Sequence, residues 1–310
     1  MNENVLPNTR VKKILKTIFI AYLFFSFLPY PQHGLLNFQH KLNIMQTTIF
    51  YIFKKTTSIL LLTFFIGLQL QSVAQNDSSI TVYQYRHVPD NKIDEFIKRE
   101  TTYWSKVAEK ALKNKTMTFW ALFEKVGGYD LPNSSNYLFV NTFPNIDKVG
   151  EVFGAAEKIT GVPMVKMETN SMSTVTSELF LRSAGWAEKA NVNPKNDFNY
   201  VVMVYHNSNF PDSLIALENT YWSPFVKKAM DNGQTPQMAW GNAVVLSPSG
   251  EDIKFNTISY DLYKTLKDAL MPSWDPKVEF PAEGLGKING LEINRRGSAV
   301  YRVVKVVAGN

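Results

Sequence analysis

One helical phrase occurs twice in this chain. "ETTYWSKVAEKA" runs from Glu100 to Ala111, and "ENTYWSPFVKKA" runs from Glu218 to Ala229. Other landmarks recur around it. Phe96 is matched by Leu214, and Tyr103 and Trp104 by Tyr221 and Trp222. Trp120 is matched by Trp240, and Arg182 by Arg302. The offset grows by two residues after the helix, so a two-residue insertion there accounts for the whole series. The pattern predicts two copies of one unit of about 110–120 residues, a usual domain size. We place them at 75–190 and 191–310, with the polar, proline-containing "AEKANVNPKND" (Ala187–Asp197) as the linker.

Each copy shows the same order of elements. "SITVYQYRHV" and "FNYVVMVYHN" are aromatic and β-branched, as first strands are. An amphipathic helix follows, over 92–113 and 211–231. "TMTFWALFEKV" and "QMAWGNAVVL" read as second strands; "NYLFVNTF" and "IKFNTISYDL" read as third strands after short turns. A second helical stretch and a longer loop lead to the fourth strands, "STVTSELFLRS" and "SAVYRVVKVV". The order β-α-β-β-α-β is the ferredoxin-like arrangement. Helices cover one face of such a sheet and leave the other apolar. Two copies in one chain can cover each other, sheet to sheet. The fold class expected is α+β, two tandem ferredoxin-like repeats packed as an internal α+β barrel, in a monomer that is its own pseudo-dimer.

Charge and cysteine usage narrow the function. Of 33 basic and 27 acidic residues, seven basic and one acidic fall in 1–74, which leaves 26 of each in the rest. The folded part is neutral overall, so bulk charge gives no nucleic-acid footprint. The chain has no cysteine, which excludes a disulfide frame, cysteine-ligated metal and a cysteine nucleophile. Residues 45–74 read as a secretory signal peptide. Lys54 and Lys55 form its basic region, Ser58–Leu68 its apolar run, and Ser72 and Ala74 the small residues before the cut. Export to a periplasmic or extracellular location is expected, with no stable membrane anchor after cleavage. Residues 1–44, with the apolar "TIFIAYLFFSFLPY", read as a mis-called extension with Met45 the true start, or else as an extra apolar anchor.

The duplicated ferredoxin-like order resembles the dimeric α+β barrel superfamily. That group includes antibiotic-biosynthesis-type and haem-degrading monooxygenases, dye-decolourising peroxidase relatives, stress-responsive barrel proteins and the NIPSNAP group. This chain looks like a fused tandem version, and the resemblance covers about 80–308. It implies a substrate or haem site between sheet and helices, lined here by Glu100 and Glu218. The haem-degrading relatives carry an Asn, a Trp and a His near the haem. That trio has no residue-by-residue match here: the first strands offer Gln84 and Val202 or Met203, not a repeated Asn. Fold alone does not imply function.

The two glutamates stand out on the residues alone. On a helical wheel Glu100 falls inside the apolar arc of Ile93, Ile97, Trp104, Val107, Ala108 and Ala111. Glu218 lies likewise within the stripe of Trp222, Phe225, Val226 and Ala229. A carboxylate facing the sheet must be paired, protonated or solvated by a cavity. Arg182 and Arg302 on the fourth strands, a nearby Tyr, Trp or His, or a pocket open to water or ligand would each satisfy it. Tyr103, Trp104, Trp120, Tyr221, Trp222 and Trp240 fit either a core or the wall of a pocket for a flat ligand. His87 and His206, at the ends of the first strands, fit a polar strand end, a haem axial ligand or a general base.

No HExxH, clustered acids, P-loop, GxGxxG or GxSxG occurs, so no metal or cofactor is assigned. The glycine-rich "GLGKINGLEINRRG" and the preceding "MPSWDPKVEFPAEG" read as one irregular insertion, a form that serves as a lid or is simply disordered. The Met-bearing stretch 160–173 reads as its shorter counterpart in the first copy. The expected role is binding of a small apolar or aromatic molecule, one pocket per repeat. The alternatives are a cofactor-independent monooxygenase or isomerase, and a structural or partner-binding barrel.

Overall fold

The computed structural model describes residues 79–127, 134–249 and 254–308. The signal peptide and the 1–44 segment assigned above lie outside the described residues. Among the described residues eight strands are formed: β1 (Ile80–His87), β2 (Phe119–Lys125), β3 (Tyr137–Phe143), β4 (Thr174–Glu188), β5 (Tyr200–Ser208), β6 (Gln237–Ser247), β7 (Thr257–Tyr263) and β8 (Glu292–Ala308). They close into one antiparallel barrel in the order β1-β3-β2-β8-β5-β7-β6-β4.

Closure depends on two long strands. β4 pairs with β1 and β6, and β8 pairs with β2 and β5. In place of two sheets packed face to face, the described strands form one continuous closed ladder, which leaves no free edge among them. Ala187 and Glu188, read from the sequence as linker, extend β4. They pair with Trp240 and Ala239 of β6, and residues 189–199, which hold the one-turn helix Pro194–Asp197, connect β4 to β5.

Alternation along the strands sorts the side chains. Tyr83, Tyr85, Phe123, Leu138, Leu181, Met203 and Tyr301 point into the barrel and form its core. Their neighbours Val82, Trp120, Leu122, Phe139 and Phe143 point outward, under the helices. Eight strands enclose an interior of about the width that side chains fill. Ladder register repeats between the halves: Ile80 faces Phe143, and Tyr200 faces Tyr263, 120 residues further on. Tyr85 and Tyr205, also 120 apart, meet inside the barrel with their hydroxyls 3.3 Å apart.

Each half carries one long helix that is interrupted. We call α1 the segment from Ile93–Arg99 through Glu100–Trp104 to Ser105–Lys113. Two short helices, α2 (Val149–Gly154) and α3 (Ala156–Thr160), follow β3, and α4 (Met164–Met167) precedes β4. α5 runs from Pro211–Leu217 through Glu218–Trp222 to Ser223–Asp231. α6 (Leu266–Leu270) and α7 (Ala282–Leu291) complete the second half. The middle segment of α1 and of α5 is a π turn. Ser105 N–H bonds to Glu100 O, and Ser223 N–H to Glu218 O, five residues back. In α5, Pro224 lacks the N–H that would close a regular bond onto Thr220. π turns inside α-helices are frequent at functional sites.

Two stretches read as irregular hold regular structure. The Met-bearing stretch contributes α4 and two buried side chains, Met167 and Met172. The glycine-rich stretch contains α7, which packs on α5, and β8 starts directly after it, earlier than read from the sequence. Glycines at 284, 286 and 290 lower helix propensity, which is why the sequence reads as loop. Tertiary packing overrides it. A Cβ on Gly284 would lie 2.5 Å from Tyr221 Cβ, so only glycine allows α7 to approach α5 so closely. Gly284→Ala is expected to cost about 1–3 kcal/mol by forced displacement, read as a lower urea midpoint at unchanged m-value.

Candidate functional site

A cavity of about 560 Å³ lies between α1 and the sheet of the first half. Its floor is two cross-strand rows on the helix-facing side. One row is Phe180, Val82, Asn141 and Trp120; the other is Glu178, Gln84 and Phe139. Trp104 and Glu100 come from the π turn, and Phe153 from α2. Trp104 packs edge-on against Phe153 at 6.0 Å, and its Nε1 donates to Met167 O at 2.9 Å. The π turn sets Glu100 and Trp104 side by side over the sheet.

The polar groups are few and ordered. Glu100 is 3% exposed, and Thr169 Oγ1 donates to its Oε1 at 2.6 Å. Burial pushes its carboxyl up to about 7, although the Thr169 hydrogen bond and the Arg86 charge pull the other way. Arg86 lies over the Phe139 ring, 5.3 Å from its centre. Its Nε donates to Gln84 Oε1 at 2.6 Å, and Gln84 Nε2 donates to Glu178 Oε2 at 2.6 Å. Asn141 Oδ1 is buried and accepts no hydrogen bond from the described residues. A buried acceptor left open costs free energy until a donor fills it.

The second half places different chemistry at the same ladder positions. Gln84, Arg86, Leu122, Phe139 and Asn141 are replaced by Val204, His206, Asn242, Ser259 and Asp261. Asn242 Nδ2 donates to Glu218 Oε2 at 2.8 Å. Asp261 accepts from Gln237 Nε2 at 2.6 Å. His206 Nε2 and Ser259 Oγ are 2.9 Å apart, and its Nδ1 bonds to Glu292 at the start of β8. The order Glu292–His206–Ser259 imitates a hydrolase triad, but both His206 and Ser259 are buried. We read it as the fastening of β8. Above it, Trp222, Phe225, Trp274 and Phe280 pack ring on ring. Trp274 and Phe280 come from the stretch read as an irregular insertion.

Several sequence expectations are corrected. Arg182 and Arg302 are not the partners of the glutamates. Arg302 pairs with Glu124, its direct cross-strand neighbour, and Arg182 pairs with Asp212 at the start of α5. An acid one strand away or at a nearby helix end is reached without burying the guanidinium. Of the remaining candidates, Trp104, Trp120 and Glu100 line the cavity. Tyr103 packs on the first half's core outside it. Tyr221 lies beneath Lys287, whose Nζ donates to its hydroxyl at 2.9 Å. Trp240 is core. His87 bonds at its Nδ1 to Ser134 O, away from the cavity. His87 and His206 are not equivalent, since the ladder sets Arg86 against His206. Sequence reasoning missed Arg86, Asn141 and Thr169. The signal for the first two was the alternation on β1 and β3; Thr169 comes from a loop and carries none.

Among the described residues no cluster of His, Asp or Glu could hold a metal ion, and no helix is long and apolar enough to cross a membrane. Comparison with known proteins gives structural likeness only. A protein from Lactobacillus acidophilus NCFM, provisionally named a monooxygenase, aligns at 11% identity with a TM-score of 0.49, covering 74% of this chain and 96% of its own. An anthrone oxidase-like protein aligns at 14% identity and TM-score 0.46, covering 75% and 94%. A heme-binding protein from Thermus thermophilus aligns at 7% identity and TM-score 0.41, covering 73% and 90%. No family model and no curated protein matches the chain.

Proposed function

We propose that the protein is an exported binding protein for a small, flat aromatic molecule, held between α1 and the sheet of the first half. The chain is read as a tandem duplication of one ferredoxin-like unit, in which the first copy keeps the pocket and the second has closed it. The observation that carries the binding role is the pairing of aromatic walls with an unfilled acceptor. Trp104, Trp120, Phe139 and Phe153 offer ring faces, and Asn141 Oδ1 asks for a donor. A ligand with one hydroxyl on a ring system meets both demands. Sites of this kind combine an apolar lining with a few placed polar groups.

Titration with naphthalene and 1-naphthol, followed by tryptophan emission, tests this. Naphthol is expected to bind about tenfold more tightly, because naphthalene leaves the Asn141 acceptor open. Asn141→Leu is expected to erase the difference. Equal affinity for the two probes, or no binding of either, would overturn the reading. Export is tested on the same preparation. Mass spectrometry of protein from the extracytoplasmic fraction should give a chain beginning at Gln75, and a native spectrum should show whether a ligand travels with it. A chain retaining residues before Gln75 would refute the cleavage.

A second reading is acid–base catalysis by Glu100. It is favoured by the carboxyl lying near 7, where it can both take and give a proton at neutral pH. Ring-proton exchange of 1-naphthol in D₂O above the solvent rate, abolished in Glu100→Gln, would establish it. Exchange at the background rate would leave binding alone.

A further inference from the structure

The sheet has a second cavity on its other side. About 350 Å³ lies inside the barrel, at the end where β1, β2 and β5 begin and β3, β4, β7 and β8 finish. Neighbouring residues on one strand line opposite chambers. Val82 faces the helix-side cavity and Tyr83 the interior; Trp120 and Phe119 divide in the same way. Protein interiors rarely keep a void larger than a water molecule. Here the void is bounded by large side chains, Phe119, Phe123 and Met203 among them, that do not close it.

Its mouth has the form of an entrance. Trp186, near the end of β4, lines it and is 49% exposed. The indole packs at 6.1 Å against Phe198 and at 6.2 Å against Tyr260, and its Nε1 donates to Glu188 Oε2 at 3.0 Å. The polar groups on the wall are neutral and sit together. Thr81 Oγ1 is 3.0 Å from Thr142 Oγ1 and 3.3 Å from Ser183 Oγ, and Tyr260 also bonds to Ser183. Among the described residues, the one charged group on the lining is the carboxylate of Glu188.

From this geometry we infer that the barrel interior is a second binding site, for a slender apolar molecule with an uncharged hydroxyl or carbonyl end. The chain or ring fills the space between Phe123, Met203 and Val306. Its polar end reaches the Thr81–Thr142–Ser183 hydroxyls. An anionic end is rejected, because no cation among the described residues lines the cavity to pair it and Glu188 stands at the rim. The site is separate from the one under α1 and does not depend on it.

The test compares 1-decanol with decanoate on the purified protein at pH 8, by calorimetry and by the emission of Trp186 (Trp186→Phe supplies the blank). Decanol is expected to bind one to one, and decanoate at least about tenfold more weakly, the penalty of an unpaired buried charge. Val306→Phe fills the chamber and is expected to cost decanol about tenfold or more in affinity, with 1-naphthol binding unchanged. Ala308→Trp narrows the rim on an exposed residue and gives the same loss without touching the core. The inference is overturned if decanol fails to bind, if decanoate binds equally well, or if both variants bind decanol as the parent does. Failure of naphthol binding alone would sink the proposed helix-side site and leave this one standing.

Discussion

Replacing Glu100 by Gln is expected to make the protein more stable at pH 8 and to flatten its stability between about pH 5 and 7. Burial raises the carboxyl from an ordinary 4.5 to about 7. The folded state therefore holds this proton more tightly than the unfolded chain does. Below 4.5 both states are protonated and the group costs nothing. As pH rises toward 7 the unfolded chain releases the proton first, and stability falls; above 7 the full penalty is present. The size of the shift corresponds to about 3 kcal/mol. Gln has no proton to lose and can still accept the Thr169 hydrogen bond. Urea denaturation of parent and Glu100→Gln at pH 4, 6 and 8 checks the sign. Parallel curves at all three would show that Glu100 is as well solvated as a surface carboxylate.

The second large effect concerns the two halves. Phe96 and Leu214 are both fully buried beneath their helices, and Phe96 packs against Tyr137 at 5.1 Å. Phe96→Ala is expected to cost about 3–5 kcal/mol and Leu214→Ala about 2–5 kcal/mol. Because β4 and β8 each belong to both halves of the ladder, either substitution should lower one common transition. Emission from the tryptophans and far-ultraviolet dichroism should then move together in both variants. Two separated transitions, with only one displaced in each variant, would show halves that unfold independently.

Much of the scaffold could be read from residue order. The repeated phrase placed both helices, and alternation placed six of the eight described strands within a few residues of their observed bounds; β4 runs five residues past its expected end and β8 begins six residues before its expected start. The glutamates, singled out because they interrupt an apolar stripe, are both buried. What escaped depends on contacts between distant residues. Glu100 finds its donor in Thr169, 69 positions away on a loop, and Glu218 finds Asn242 on β6. Neither pairing has a sequence period. Helix α7 escaped because glycine argues against a helix wherever its packing partner is unseen; Tyr221 supplies the reason for Gly284. The difference between the two halves was hidden by the helix phrase itself. Identity is concentrated in the helix phrase, whereas the sheet positions below, Arg86 against His206 and Asn141 against Asp261, differ.

The π turn of α1 has a bearing on descent. A helix with such a turn holds one residue more than a regular helix of the same span. α1 and α5 carry that surplus at the same step, Glu100–Trp104 and Glu218–Trp222. Two independent insertions landing on the same "ExTYW" frame would be a coincidence. If the halves descend from one ancestor, the extra residue was already present in it, and it is older than the fusion. A one-residue gap within "ETTYW" is then the mark by which unfused ancestors lacking the turn could be told from those that already had it.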